Sequence, residues 1–288
     1  MKLARDIYEY GDTIKLGHTL FAMPFALSGA CIAKTEGHPL SWALLGWILL
    51  AFTGARSAAM GFNRIADAAI DAKNPRTADR AVAAGRISKG AAWTFVAVSA
   101  ALFIFSARMI NTACFALSFP ALALLFGYSY AKRFTCASHF ILGLALAMAP
   151  VGAWIAVSGG FDPRILSLAA ALVFQIAAFD ILYANQDAEF DRKNSLFSIP
   201  AAFGEKKSLS ICLALFALAT CMLFLTGMLF CLGGFYFACA ALIAATYFSG
   251  FALFKKSGLA SIGTVFFYMN AASSMLMLVA VLPGAILK

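Results

Sequence analysis

Residues 40–71 read LSWALLGWILLAFTGARSAAMGFNRIADAAID, an apolar run that ends in a regularly spaced acidic motif. The part from 40 to 61 contains one charged residue, Arg56, and matches the roughly 20 residues that cross a bilayer core of about 30 Å. Asn63, Asp67 and Asp71 then follow at intervals of four. The stretch therefore predicts a membrane-spanning helix with acidic side chains at one end.

The composition indicates that a bilayer surrounds much of the molecule's surface. Hydrophobic residues make up 62% of the 288 residues and charged residues 12%, against about 45–50% and about 25% in soluble domains. Residues 1–15 are polar, so the first apolar run is expected to be a retained span and not a signal peptide. We predict one membrane-embedded domain over residues 1–288.

Apolar runs separated by charged or turn-rich breaks predict nine transmembrane helices. Their expected ranges are 16–33, 40–61, 91–107, 110–130, 138–158, 165–187, 209–229, 231–254 and 262–286. The N-terminus and even-numbered loops hold 17 Lys and Arg residues, and the odd-numbered loops and C-terminus hold 4. The positive-inside rule then puts the N-terminus in the cytoplasm and the C-terminus outside a bacterial inner membrane. These scattered basic residues do not favour a nucleic-acid partner.

The first acidic motif forms a stripe along its helix. Four residues turn a helix by 400°, so Asn63, Asp67 and Asp71 drift by only about 40° per step and lie about 6 Å apart along the axis. Arg56, seven residues before Asn63, falls on the same stripe. Because Asn74 precedes Pro75, we expect the helix to end near Asn74.

A second acidic motif, DILYANQDAEFD, occupies residues 180–191. On one continuous helix, Asp187 and Asp191 would lie within about 20° of Asp180, with Tyr183 about 60° to one side. Glu189 would point to the opposite face and is left out of the site.

Solvation at the membrane interface explains a single aspartate but not five on two stripes. An Asp inside the bilayer costs about 2.5–3.5 kcal/mol and usually has a partner. Carboxylate and amide oxygens suit Mg²⁺, which takes one or two protein carboxylates and fills its other positions with water and phosphate. Two such stripes facing each other would clamp a diphosphate through more than one Mg²⁺.

Cationic and tyrosine side chains near the stripes are candidates for binding the phosphates. Ordinary loop charge is the alternative explanation for each basic residue. Lys132 follows Tyr128 by four residues and shares its helix face. The candidate substrate-binding residues near the motifs are Arg56, Asn63, Arg76, Arg80, Tyr128, Lys132, Arg133 and Tyr183.

These motifs, taken in order, resemble the UbiA superfamily of membrane prenyltransferases. The resemblance rests on the N-x-x-x-D-x-x-x-D motif from Asn63, the N-P-R-T run from Asn74, the A-G-R-I-S run from Ala84, the Tyr128–Lys132 pair and the second motif from Asp180. It implies a bundle of nine helices around a central cavity, with both motifs at its cytoplasmic mouth and an opening for a lipid tail.

The resemblance also implies the chemistry. Mg²⁺ bound by Asp67, Asp71, Asp187 and Asp191, with Asn63 on the same stripe, would help a polyprenyl diphosphate to ionise. Side chains such as Met60, Phe62 and Tyr183 would shield the cation, and an aromatic ring would attack it. Asp180 or Asp191 would accept the ring proton or orient the ring.

The N-terminal segment bears on the acceptor. Lys15, His18 and the run from Thr19 to Pro24 resemble a subgroup linked to menaquinone made by the futalosine route, whose acceptor is a dihydroxynaphthoate. The alternative is 4-hydroxybenzoate, the ubiquinone precursor. Lys15, His18 or Arg133 would pair with the carboxylate of either acid, whereas His38 and His139 are interpreted as interfacial residues.

Two other functions remain open from the sequence. A cation-coupled transporter would also need acids within its spans, but near the middle of them rather than at cytoplasmic ends beside basic loops. Within the family, the acceptor could instead be of the homogentisate or heme type, or the enzyme could be a terpene cyclase.

Overall fold

Helices form all the regular secondary structure of residues 16–287, the part that this computed structural model describes, with side chains from residue 22 onward. Short 3-10 and π-helical turns join or interrupt several of them. The helices are α1 (Leu16–Thr35), α2 (Trp42–Asp71), α3 (Lys89–Ile110), α4 (Thr112–Ala131), α5 (Ser138–Ser158), α6 (Leu166–Ala184), α7 (Ala188–Lys193), α8 (Ile199–Leu229), α9 (Gly234–Ser257), α10 (Ile262–Thr264) and α11 (Asn270–Leu287).

Seven helical segments of the described chain are long and apolar enough to cross a membrane. They are Trp42–Asp71, Lys89–Ile110, Thr112–Ala131, Ser138–Ser158, Pro163–Lys193, Ile199–Leu229 and Gly234–Leu287. The predicted all-helical class is confirmed. The count of nine spans and the central cavity stay predictions.

Two compact units divide the described chain. The first is built on Trp42–Tyr130, and the second on Phe21–Ser41 together with residues 131–287. The single domain expected over residues 1–288 therefore stays a prediction.

In the first unit, small residues let α2 and α3 pack closely. A β-carbon on Gly54 would lie 2.8 Å from the Phe103 nitrogen and 2.9 Å from the Ser99 carbonyl oxygen. Such contacts are typical of membrane helices, which gain little from the hydrophobic effect and associate through close backbone packing. This packing fixes α2, the helix that carries the first motif.

Glycines also let helices pack closely in the second unit. A β-carbon on Gly143 of α5 would lie 2.6 Å from the Val173 carbonyl oxygen of α6, and one on Gly29 would overlap the Pro150 carbonyl. A buried hydrogen-bond network also crosses this unit: Gln175 donates to Asn270 and Ser273, and the Tyr247 hydroxyl donates to Gln175 at 2.7 Å. α6 is thus held from several sides.

Charged side chains join two loops of the second unit. Arg164 donates to Glu36 at 2.7 Å through Nη2 and to Asp162 at 2.9 Å through Nε. The Arg164 hydrogen bond lowers the pKa of the Asp162 carboxyl, because it stabilises the ionised form.

Several predicted helix boundaries are wrong, for local reasons. α2 runs past 61, the predicted end of the membrane span, to Asp71, because the Ala-rich motif continues the helix. It ends three residues before Asn74, close to the end expected from Pro75. α8 begins at Ile199, not 209, because the Ser198 side chain caps it, although Gly204 breaks its regular path with a φ of 77°.

Candidate functional site

The first motif lies in the first unit on one continuous helix, as predicted. Asn63 Nδ2 donates to Asp67 Oδ2 at 3.1 Å and approaches Ser129 Oγ of α4 at 3.4 Å. Only 2% of Asp67 and 4% of Asp71 are exposed. Two carboxylates are therefore removed from solvent along one helix face, which is costly without nearby positive charge.

Part of that charge comes from Arg80. Its Nη1 donates to both carboxylate oxygens of Asp71, each at 2.8 Å. The loop that carries Arg80 is anchored back onto α2, since the Thr77 hydroxyl donates to the Asp71 carbonyl at 3.2 Å. Ala81, Val82 and Ile87 also pack on Ala68, so the loop returns to the motif helix.

Another arginine of this region was not among the predicted site residues. Arg64 is 6% exposed and interacts electrostatically with Asp71, Asp67 and Tyr128. Arg56 interacts with the same tyrosine. Arg64 directly follows Asn63, so a charged residue inside a buried helix was the sequence signal that could have identified it. The predicted Arg76 side chain is exposed, and its backbone nitrogen donates to Asn74 Oδ1 at 3.0 Å.

Aromatic rings surround the position just before the first motif. Phe62 stacks on Phe126 with ring centroids 4.4 Å apart. It also contacts Trp93 at 5.7 Å and Tyr130 at 5.9 Å, both edge-on. Phe62 is thus buried among three other aromatic rings of the first unit.

The second motif, in the second unit, does not lie on one continuous helix as predicted. α6 ends at Ala184, a 3-10 turn covers Asn185–Asp187, and α7 begins at Ala188. Asn185 Nδ2 donates to the Ile181 carbonyl at 2.9 Å, and Gln186 Nε2 donates to the Tyr183 carbonyl at 2.9 Å. These side chains bond to main-chain carbonyls near the helix end, where a helix leaves such groups unsatisfied.

Asp191 is tied to the start of α8. The Ser198 hydroxyl donates to Asp191 Oδ2 at 2.8 Å and accepts from the Ala201 nitrogen at 3.3 Å. Lys132 interacts electrostatically with Asp191, and the Lys132 carbonyl accepts from the Phe197 nitrogen at 2.7 Å. Asp187 is half-buried, whereas Glu189 is exposed.

The expectation that His139 is an interfacial residue is wrong. Its side chain is 3% exposed, and its Nδ1 lies 2.6 Å from Asp180 Oδ2. The motif residue Asp180 thus has a partner on a different helix, α5. No spacing in the sequence links positions 139 and 180, which explains why this pair was missed.

The remaining predicted residues are placed as follows. The Tyr183 ring packs on Phe266 with centroids 4.5 Å apart, beside the π-helical turn Val265–Met269. Arg133 is half-buried at the end of α4. Lys15 lies outside the described residues, and the His18 side chain is not among the described ones.

Within the described chain, no group of three or more His, Cys, Asp or Glu side chains forms a metal cage. The donor set of the motifs nevertheless fits Mg²⁺, which typically uses one or two protein carboxylates and takes its other oxygens from water and phosphate. Asn63, Asp67 and Asp71 supply two carboxylates and one amide oxygen on one face. Soft sulfur ligands are not part of either motif.

Both aspartate motifs lie on helical segments of the described chain that are long and apolar enough to cross a membrane. The model of the UbiA prenyltransferase family matches residues 22–273. The chain belongs to this family and is an integral membrane prenyltransferase with the all-helical UbiA fold.

Relatives and solved structures agree with this assignment. The chain is 34% identical over 233 residues to a 4-hydroxybenzoate octaprenyltransferase from Stutzerimonas stutzeri, covering 81% of this chain and 74% of that protein. It is 34% identical over 249 residues to the enzyme of the same description from Azotobacter vinelandii, covering 86% and 81%.

Among solved structures, an apo UbiA homologue from Aeropyrum pernix K1 superposes with a TM-score of 0.83 at 32% identity, covering 92% of this chain and 97% of that one. A UbiA homologue from Archaeoglobus fulgidus, bound to GPP and Mg²⁺, shares the fold with a TM-score of 0.69 at 21% identity, covering 95% and 99%.

Proposed function

We propose that this enzyme transfers a polyprenyl group from a polyprenyl diphosphate to the ring of an aromatic acid, in the synthesis of a membrane quinone. The acceptor is 4-hydroxybenzoate or a dihydroxynaphthoate. The relatives at 34% identity named 4-hydroxybenzoate octaprenyltransferase support the donor and acceptor classes. The resemblance of residues 15–24 to the menaquinone subgroup supports the second acceptor.

The observation that carries the proposal is the buried carboxylate pair of α2. Asp67 and Asp71 are 2% and 4% exposed, and the cation bonded to Asp71 is Arg80. Buried acids of this kind mark functional sites in membrane helices. A site that gathers acids and arginines together suits a metal–diphosphate ligand, since the metal pairs with the acids and the phosphates pair with the arginines.

Asn63, Asp67, Asp71, Asp187 and Asp191 are the residues that would hold Mg²⁺, and the UbiA homologue solved with GPP and Mg²⁺ supports this cofactor. Bound Mg²⁺ would neutralise charge on the leaving diphosphate. Arg56, Arg64, Arg76, Arg80 and Lys132 would add donors to the phosphate oxygens, and Tyr128 and Arg133 would complete the substrate contacts.

The allylic C–O bond breaks with both electrons on the diphosphate, and the chain's own side chains protect the cation. The rings of Phe62 and Tyr183 would stabilise the cation and keep water out. The electron-rich ring attacks the allylic carbon, and the ring proton then leaves to a base of the enzyme. Lys15 and His18 are the proposed partners of the acceptor's carboxylate.

We also propose nine membrane crossings in a single embedded domain, with the N-terminus and both motifs cytoplasmic and the C-terminus outside. The segment Gly234–Leu287 has 54 residues, about 81 Å of helix at 1.5 Å per residue, far more than a core of about 30 Å. Gly258 turns it with a φ of 56°, and Val265 and Met269 return against Gly250. α1 supplies the remaining crossing.

Product formation in membranes that express the chain tests this function. Radiolabelled polyprenyl diphosphate is supplied with 4-hydroxybenzoate or 1,4-dihydroxy-6-naphthoate, in Mg²⁺ or in EDTA. We expect a prenylated lipid that needs Mg²⁺, is lost in Asp67→Asn and persists in the control Asp79→Asn, because the Asp79 side chain is 95% exposed in the loop after the motif.

The acceptor that is prenylated fastest would identify the quinone pathway that the enzyme serves. Homogentisate and heme are included as further acceptors, and products from the diphosphate alone would indicate a cyclase. A folded protein that forms no product in any of these assays would refute the proposal, and cation-dependent uptake into vesicles would then point to a transporter.

A further inference from the structure

One buried histidine joins three helices of the second unit. His139 lies at the start of α5, and its Nδ1 is 2.6 Å from Asp180 Oδ2 on α6. On its other side, His139 Nε2 accepts a hydrogen bond from the backbone nitrogen of Ile199, the first residue of α8, at 3.2 Å. Both ring nitrogens therefore have defined partners.

The contact with Ile199 determines where the imidazole carries its proton. The first backbone N–H groups of a helix have no carbonyl partner within that helix, so the Ile199 N–H needs an outside acceptor. An imidazole nitrogen that accepts a hydrogen bond carries no proton, which leaves the proton of the neutral ring on Nδ1. Nδ1–H consequently donates to Asp180, and Asp180 is the acceptor in the pair.

We propose that His139 is a positioning residue that holds the Asp180 carboxylate ready to take the proton of the aromatic acceptor; this inference rests on the function proposed above. After the allylic carbon bonds to the ring, the electron pair of the ring C–H bond returns to the ring. The proton moves to a carboxylate oxygen of Asp180, and the diphosphate retains the electron pair of the broken C–O bond.

Asp180 suits this role better than Asp191. Asp191 accepts from Ser198, which caps α8, and is itself a proposed metal ligand. Asp180 lies four residues before the end of α6 at Ala184, whereas Asp187 follows in the 3-10 turn, so Asp180 lies farther into the apolar part of its span than Asp187. A quarter of its side chain is exposed, which leaves room for a ring to approach.

Two substitutions of His139 separate its two hydrogen bonds. The amide nitrogen of Asn occupies the position of Nδ1, so His139→Asn keeps a donor for Asp180 and loses the acceptor for Ile199. The amide oxygen of Gln reaches the position of Nε2, so His139→Gln keeps the acceptor for Ile199 and loses the donor for Asp180. Both variants have similar polarity and lack the ring.

If His139 positions Asp180, kcat should be high in a variant that still donates a hydrogen bond to Asp180 and low in one that does not. His139→Asn should retain kcat within about threefold, whereas His139→Gln and Asp180→Ala should each lower kcat about 100-fold, the lower end of effects for a positioned base. KM for the diphosphate should not change in His139→Gln or in Asp180→Ala. The double variant His139→Gln/Asp180→Ala should lose no more than Asp180→Ala alone, because the two residues act as one unit.

If His139 had only a structural role, the order of activity of the two His139 variants would be reversed. If His139 serves only as the cap of α8, His139→Gln stays active and His139→Asn loses both thermal stability and turnover. That result would overturn the proposal, as would equal losses in both variants.

A measurement without substrate tests the pair independently of prenyl transfer. The chain has three histidines, so the ¹⁵N-histidine spectrum of the protein in nanodiscs can be assigned to His139 by comparison with His139→Asn. We expect protonated Nδ1 and unprotonated Nε2, with the Nδ1 signal shifted in Asp180→Ala. A proton on Nε2 would refute the geometry even in an active enzyme. Wild type could instead show the expected tautomer but prenylate no aromatic acceptor. That result would refute both the proton-accepting role of Asp180 and the proposed function.

Discussion

Arg80 bonds to both oxygens of the Asp71 carboxylate, each at 2.8 Å, from a loop nine residues away. Asp71 is buried, whereas about a quarter of the Arg80 side chain is exposed. The arginine thus neutralises a carboxylate that we propose as a metal ligand.

Replacing Arg80 should make the enzyme more dependent on Mg²⁺ for stability. Arg80→Gln leaves the buried Asp71 charge without its guanidinium, which we expect to cost about 1–3 kcal/mol. Because bound Mg²⁺ can replace the lost positive charge beside Asp71, Mg²⁺ alone should raise the unfolding temperature more in Arg80→Gln than in wild type. Arg86→Gln is the control, since Arg86 pairs with the exposed Asp79. An equal ligand-induced rise in both variants would contradict this interpretation.

Gly29 should tolerate no side chain. A β-carbon there would overlap the Pro150 carbonyl, and overpacking of this kind costs about 1–3 kcal/mol or more. We expect Gly29→Ala to lower the yield of monodisperse protein on size-exclusion chromatography. Gly152→Ala, in the helix that contains Pro150, is the matched control because no atom lies within 4 Å of its added carbon. Normal behaviour of Gly29→Ala would disprove the close approach.

The buried network around Gln175 should contribute to stability and not to catalysis. Tyr247→Phe removes the donor to Gln175 Oε1, and we expect a loss of about 1 kcal/mol, as for other hydrogen bonds between membrane helices. Thermal unfolding in nanodiscs measures it, with Tyr268→Phe as the control because Tyr268 is exposed. A fall in kcat without a fall in stability would assign Tyr247 a catalytic role.

The aromatic cluster around Phe62 should affect the rate more than binding. Phe62→Leu removes a ring that contacts three others. If the ring stabilises the allylic cation by about 1–2 kcal/mol, kcat should fall about 10-fold while KM for the diphosphate changes little. Phe105→Leu, a substitution of an exposed ring on α3, should retain wild-type kcat. A rise in KM alone would show that Phe62 only binds the tail.

The first motif could be predicted from the sequence because its residues share one helix. A spacing of four residues keeps Asn63, Asp67 and Asp71 on one face, and that face is buried with its carboxylates along α2. No such spacing describes the second motif. Asn185 and Gln186 bond to main-chain carbonyls at the end of α6, so the angles expected for a continuous helix do not apply to Asp187 and Asp191.

Contacts from other helices could not be predicted from spacing. His139 reaches Asp180 from α5, and Ser198 reaches Asp191 from the start of α8. Both depend on tertiary packing, which no periodic pattern records. Arg64 differs, because its position next to Asn63, on the helix of the first motif, was visible in the sequence.

α2 extends well beyond the thickness of a membrane core. Its 30 residues span about 45 Å, and Asp67 lies about 38 Å along the axis from Trp42, an exposed residue of the kind that settles at a membrane interface. Lipids with longer acyl chains would draw the acidic end toward hydrocarbon or force the helix upright, and shorter chains would tilt it. The acyl-chain length of the surrounding lipid should therefore tune how readily a charged substrate reaches its ligands, so the enzyme should respond to lipid composition even when no lipid takes part in the reaction.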